Sequence, residues 1–206
     1  HNANWTSGIG ASGTFNCIIA TNQVRNSLSG NSGNYWNVSY GAASEVYITF
    51  SALPASTAAV RLHYRIANPG AGTLDGYNIR VRGDGACTLA RYDNDVATTI
   101  KTLTTGATAG DKFGAEGIGS TQTGYRYTGG AWGSIGTVTD STYSAAGYIG
   151  IAIYSENFRG DDFGGGTVAG SSVSASVSPS ASASASVSPS ASVSPSASVS
   201  PSASAS

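Results

Sequence analysis

The sequence predicts an all-β protein, a sandwich of two antiparallel sheets in residues 1–169, followed by a separate extended tail over 170–206. Three observations carry this expectation. Apolar residues recur at every second position in several runs, the period of a half-buried strand. Clusters rich in Gly, Asn and Asp separate those runs and supply turns. No eleven-residue window shows a helical period. The composition agrees: 28 Gly and 11 Tyr with no Met suit short strands joined by many turns.

The strands come in chain order. "EVYITF" opens the alternating set. In "AVRLHYRI", Val60, Leu62, Tyr64 and Ile66 fall on one face and Arg61, His63 and Arg65 on the other. "GYNIRVR" repeats the device, with Tyr77, Ile79 and Val81 against Asn78, Arg80 and Arg82. "YIGIAIY" collects Ile149, Ile151 and Ile153. The intervening "NPGAGTLDG", "RGDG", "YDND" and "TGG" read as turns. If the "AVRLHYRI" and "GYNIRVR" strands are neighbours, Arg61, Arg65, Arg80 and Arg82 share one outward sheet face with His63, which is expected at the surface. Like charges directly opposite one another destabilise a sheet. That face therefore calls for carboxylates from a neighbouring strand, an acidic glycan or an adjacent subunit.

All ten Lys and Arg and all eleven Asp and Glu precede residue 170, and the net charge is −1. Such a sparse, balanced charge set argues against a nucleic-acid or membrane-surface partner. No run of eighteen apolar residues spans a bilayer. Asn4-Trp5-Thr6 and Asn37-Val38-Ser39 match the N-glycosylation sequon, which makes Asn4 and Asn37 candidate acceptors. Cys17 and Cys87 are either two free thiols or one disulfide, and an oxidising extracellular setting favours the bridge.

The tail answers to a different rule. From Ser172 to Ser206 every even-numbered residue is Ser, with only Ala, Val or Pro between. It cannot bury enough apolar surface to offset its ordering entropy. A passive linker, a donor strand and a polyproline-II stalk compete as readings. Ser/Pro-rich stretches of this kind are similar to O-glycosylated mucin-like stalks. On that reading the acceptors are Ser174, Ser176, Ser178, Ser180, Ser182, Ser184, Ser186, Ser188, Ser190, Ser192, Ser194, Ser196, Ser198, Ser200, Ser202 and Ser204.

"HYRIANPGAGTLDGYNIRV", "LARYDND", "GDKFGAEGIG", "YRYTGGAW", "TDSTYSAAGYIGIAIY" and "RGDDFGGG" succeed one another in an order that resembles the LamG-like jelly rolls of the concanavalin A-like lectin/glucanase superfamily. The resemblance covers about residues 4–166. It implies a two-sheet antiparallel jelly roll whose last strand, "DDF", lies near the chain start. Such domains open with an Asp-x-Phe-x-Arg strand before an "NW" dipeptide. Here Asn4-Trp5 stands almost first, so either the opening strand lies upstream of this sequence or another chain supplies the pairing partner. Some LamG-like domains hold Ca²⁺ through loop oxygens, and Asp93, Asp95 and Asp140 are weak candidates for it. Turn-forming Asp is the simpler reading, so no metal is assigned.

The glucanase branch carries Glu-x-Asp-x-x-Glu on one strand face. Glu45, Glu116 and Glu156 do not form that pattern, so no catalytic residue is assigned. "RGD" at 82–84 and at 159–161 adjoins strands rather than loop tips. These observations together point to a non-enzymatic extracellular or surface structural protein, repeated along a glycosylated filament by contacts between copies. The alternative is a carbohydrate-binding or adhesion module, with Tyr125, Tyr127 and Trp132 stacking on sugar rings. Covalent glycans are the only expected additions apart from Ca²⁺.

Overall fold

The computed structural model describes residues 4–10, 17–21, 23–26 and 31–169. The serine sites and the expected polyproline-II stalk in 170–206 lie outside the described residues. Fourteen strands form: β1 (Trp5–Ser7), β2 (Cys17–Ala20), β3 (Gln23–Asn26), β4 (Ser32–Trp36), β5 (Ser44–Ala52), β6 (Ala59–Asn68), β7 (Asp75–Arg82), β8 (Cys87–Asp93), β9 (Val96–Leu103), β10 (Lys112–Ile118), β11 (Thr121–Thr128), β12 (Ala131–Thr139), β13 (Tyr148–Ile153) and β14 (Arg159–Thr167). They make two seven-stranded antiparallel sheets. Sheet A has the order β1-β4-β13-β6-β7-β8-β9, and sheet B the order β12-β11-β10-β5-β14-β3-β2. No helix among the described residues is long and apolar enough to cross a membrane.

The inner faces carry the alternating apolar residues that the sequence marks. Val60, Leu62 and Tyr64 of β6, Tyr77, Ile79 and Val81 of β7, and Ile149, Ile151 and Ile153 of β13 meet Val46, Ile48 and Phe50 of β5 and Phe113 of β10 in one core. Phe50 sits 5.1 Å from Phe113 and 5.0 Å from Phe158, ring centre to ring centre, in tilted and edge-on contacts. These arrangements suit the ring quadrupoles. As the resemblance implies, β14 lies near the chain start: Trp5 packs on Phe163 at 5.1 Å.

Strand β6 departs from the expected alternation. Arg65 takes φ +49°, and the ladder to β7 shifts register between Tyr64 and Asn68. A bulge of this kind reverses the facing of the residues beyond it. Arg65 turns inward and is 1% exposed. Ile66 turns outward and joins Ile9, Leu74 and Tyr92 in a second small apolar cluster. The bulge is accommodated by glycine on both sides. A Cβ at Gly76 would lie 2.8 Å from the Arg65 carbonyl oxygen, and one at Gly147 would lie 2.7 Å from the Arg65 carbonyl carbon. The expected surface position of His63 is corrected as well: it is 2% exposed, and its ring lies 5.5 Å from that of Tyr92. Outward-facing on a sheet is not the same as solvated when the segment around Ile9 packs across that face.

The disulfide expectation is also corrected: Cys17 and Cys87 are both free thiols. Cys17 sits on β2, whose amide at Cys17 donates to Asn34 Oδ1 of β4 at 2.6 Å. Cys87 sits on β8, four strands from β4 in sheet A. At about 4.8 Å per strand the separation is about 19 Å, far beyond the 4.4–6.8 Å Cα span of a disulfide. Burial pushes both thiols up to about 12.

Candidate functional site

Two sheet faces gather the residues that the sequence singles out. The first is the outer face of sheet B. Register places Glu116 opposite Glu45, Gly114 opposite Tyr47 and Lys112 opposite Thr49 across β10 and β5. On the other side of β10, Gly114 lies opposite Tyr125 and Lys112 opposite Tyr127. Trp132 of β12 pairs with Tyr127, ring centres 5.5 Å apart, and stands 6.2 Å from Tyr47. Tyr125, Tyr127 and Trp132 therefore do share one face, and Tyr47 joins them.

Glycine is what lets these rings lie along the sheet. A Cβ at Gly114 would come 3.1 Å from Tyr47 Cβ and 3.5 Å from the Trp132 ring, and one at Gly164 would come 2.5 Å from the Tyr47 hydroxyl. The result is a half-buried aromatic shelf bounded by polar groups. At one border Lys112 Nζ meets Asp162 at 3.0 Å, and Thr49 donates to the same carboxylate at 3.1 Å. At the other stand Glu45 and Glu116. Burial pushes both carboxyls up, and the charge of Glu45 adds to the rise at Glu116. Burial likewise raises the Tyr47 and Tyr125 hydroxyls, with the neighbouring glutamates contributing.

Glu45 and Glu116 are both raised by burial, and Glu116 further by the charge of Glu45, so the pair can exchange hydrogen bonds with a ligand. Sequence reasoning missed Tyr47, and it weighed Glu45 and Glu116 only against a glucanase motif, without seeing them as a pair. The available signal was the alternation in "SEVYITF" and "KFGAEGI", which sets them opposite Val46, Ile48 and Phe113 but does not show that the two strands adjoin.

The second face is the outer side of sheet A. Arg61 of β6 lies directly opposite Arg80 of β7, and Ala59 opposite Arg82, so three of the four expected arginines share it. Arg65 does not. It is inside, donating to the carbonyls of Ala42 at 2.7 Å, Gly119 at 2.9 Å and Tyr143 at 3.4 Å. Its role is to tie three loops together rather than to meet a partner. Arg82 is ion-paired with Asp84 at 2.6 Å within the first "RGD".

The calcium candidates do not converge. Arg91 bridges Asp93 and Asp140, each at 2.8 Å, while Asp95 accepts from the Gly72 amide at 2.9 Å. Among the described residues no group of three metal-ligating side chains has the geometry to hold an ion. Both sequons are exposed and adjoin, the Asn37 amide donating to the Asn4 carbonyl at 2.9 Å.

At the chain-start end, β14 pairs with β5 from Arg159 to Thr167 and, among the described residues, with β3 at Gly160–Val24. Beside it lies a cavity of about 460 Å³ lined by Trp5, Trp36, Tyr40 and Phe163, among others.

No protein-family model and no curated protein sequence matches the chain. Solved structures do. The carbohydrate-binding module CBM66 from Bacillus subtilis aligns with a TM-score of 0.60 at 15% identity, over 80% of this chain and 96% of that one. The exoplasmic/lumenal domain of VIP36 in its Ca²⁺/Man-bound form gives 0.64 at 9% identity, over 82% and 85%. A β-glucanase from Bacillus licheniformis gives 0.54 at 16% identity, over 82% and 94%. These likenesses are of fold: the described residues form a two-sheet antiparallel jelly roll of the kind seen in a carbohydrate-binding module and a β-glucanase.

Proposed function

We propose that the chain is a non-enzymatic carbohydrate-binding module of an extracellular or surface protein, and that the outer face of sheet B is its glycan contact. One observation carries the reading: Tyr47, Tyr125, Tyr127 and Trp132 share a glycine-floored, half-buried shelf bordered by Glu45, Glu116, Lys112 and Asp162. Pyranose rings offer an apolar face for stacking and hydroxyls for the flanking carboxylates and amine. The similarity to a carbohydrate-binding module and to a Man-bound exoplasmic/lumenal domain supports it. The test is a screen of neutral oligosaccharides against the intact chain. Binding that falls at least tenfold in Tyr125→Ala and Trp132→Ala is expected. Binding untouched by both substitutions removes the shelf from the reading.

The short ladder between β14 and β3 favours a second reading, assembly of copies into a filament. A strand edge with one β3 ladder pair among the described residues, beside a cavity lined by Trp5, Trp36, Tyr40 and Phe163, suits an extended segment donated by another copy, joined through main-chain hydrogen bonds. Such a contact is heterologous and grows as an open fibre. O-glycosylation of the serines from Ser174 to Ser204, and N-glycosylation of Asn4 and Asn37 at the sequons, belong to this reading. Light scattering and intact mass test it: a monomer at every concentration, with the mass of bare polypeptide, refutes it.

A further inference from the structure

The outer face of sheet A carries a charge arrangement that the sugar-stacking shelf on sheet B leaves unexplained. Every Asp and Glu of the chain lies among the described residues, and so does every Lys and Arg. The ion pairs join Arg82, Arg91, Lys112 and Arg126 to carboxylates, and none involves Arg61 or Arg80. These two arginines are directly opposite each other on β6 and β7, where side chains approach most closely. A like-charge pair in a sheet ordinarily relaxes by swinging apart into water. Arg61 is held in place. Its Nη1 donates to the Tyr154 hydroxyl at 2.5 Å, and its guanidinium lies 4.2 Å from the Tyr154 ring centre and 5.9 Å from that of Tyr92. The Nε atoms of both Arg61 and Arg80 are buried without a hydrogen-bond partner. The next outward residue on β6, His63, is 2% exposed and also has an unpartnered Nε2.

The neighbouring ladder positions carry small side chains. Arg61 is flanked on β13 by Ala152, and Arg80 is flanked on β8 by Thr88. Two opposed guanidinium groups, one of them held in place, with unfilled donors, small neighbours and no ion-paired carboxylate make a site for an oxyanion. Guanidinium edges bind such groups through paired N–H donors.

We infer that Arg61 and Arg80 form an oxyanion-binding site on the outer face of sheet A, and that its ligand is the carboxylate or sulfate group of an acidic polysaccharide. The saccharide part rests on the carbohydrate-binding reading; the oxyanion part does not. One such group, once bound, offsets one of the two positive charges and accepts from guanidinium N–H donors. A neutral glycan has nothing to offer this face, and the aromatic shelf on sheet B has no pair of unmatched cations for an acidic one. The two faces therefore separate acidic from neutral ligands.

The test uses the full chain and four soluble probes: polygalacturonate for carboxylate, dextran sulfate for sulfate, unmodified dextran as neutral sugar and poly-glutamate as an anion without sugar. Binding of polygalacturonate or dextran sulfate is expected, weakening as salt rises and falling about tenfold in Arg61→Gln and in Arg80→Gln. Arg80→Lys, which keeps the charge but loses the planar fork, is expected to fall in between. Arg25→Gln, an arginine on the other sheet, leaves binding unchanged. Circular dichroism confirms that each variant is folded, and the salt dependence of the unmutated chain stands as an independent measurement should Arg61→Gln fail to fold. Absence of binding to both acidic polysaccharides overturns the inference, as does binding that both Gln variants retain. Equal binding of poly-glutamate overturns its saccharide part and turns the site toward an acidic protein segment. Loss of neutral-sugar binding in Trp132→Ala with acidic binding intact upholds both readings separately. Failure of neutral sugars alone sinks only the shelf.

Discussion

Replacing Arg65 with Met removes the guanidinium from the centre of the loop cluster and keeps most of the aliphatic stem. Three carbonyls lose a donor: Ala42 and Gly119, at 2.7 and 2.9 Å, and Tyr143 at a weaker 3.4 Å. A hydrogen bond from a charged donor contributes about 1.5–3 kcal/mol, so the two short bonds set a gross loss of about 3–6 kcal/mol. Relief opposes it, because the native state keeps a charge at a site 1% exposed, with Nη2 unpartnered and without a carboxylate in contact. Burying a guanidinium carries a penalty of several kcal/mol that Met does not incur. The partners left behind are neutral, so the loss is smaller than for a broken ion pair and nets to about 3 kcal/mol. With a urea m-value of about 2 kcal/mol/M, the midpoint drops by about 1.5 M. Urea unfolding followed by tryptophan fluorescence measures it directly. A loss below about 1 kcal/mol would show that the loops hold their positions without the arginine, and the account of β6 would then be wrong.

Three further outcomes are expected. Gly76→Ala puts a methyl 2.8 Å from the Arg65 carbonyl oxygen at a φ of +140°, so overpacking and backbone strain together cost about 2–4 kcal/mol, read as a lowered Tm. His63 is held neutral by burial, with Arg61 adding to the effect, and its pKa is lowered from 6.5 to about 3. The unfolded chain takes up that proton near pH 6.5 and the folded one only near 3. The stability contribution is therefore complete above 6.5 and lost as pH falls toward 3, with a slope approaching about 1.4 kcal/mol per pH unit. Subtracting the His63→Leu curve cancels the opposite contribution of Glu45 and Glu116, and a difference that does not change between pH 7 and pH 4 refutes the assignment. Finally, Arg91 occupies the space between Asp93 and Asp140. Arg91→Ala frees both carboxylates, so millimolar Ca²⁺ is expected to raise the Tm of the variant more than that of the parent, and equal shifts would refute this.

Much of the sandwich was legible because strand faces are written locally. Val60, Leu62 and Tyr64 declare the inner side of β6 by alternation alone, as Ile149, Ile151 and Ile153 do on β13. The same rule failed at the end of β6. "HYRIAN" continues the pattern on paper, yet Arg65 turns inward and Ile66 outward, because the bulge is allowed by Gly76 and Gly147, distant in sequence and adjacent in space. The candidate sites divided in the same way. Arg61, Arg80 and Arg82 were found because β6 and β7 are joined by one turn. The Glu45–Glu116 pair was not, because β5 and β10 are far apart in the chain. The Cys17–Cys87 pairing failed for the converse reason: two cysteines have no sequence mark of their distance.

What the sequence by itself determined was which residues face a core, where turns fall and that charge is scarce. What only the tertiary structure decided was which strands adjoin, in what register, and hence which outward side chains meet: the aromatic shelf on one sheet and the opposed arginines on the other. The physical reason is that facing comes from the two-residue repeat of a single strand, whereas pairing is made by backbone hydrogen bonds that are alike for nearly every residue and become specific only when the whole core packs.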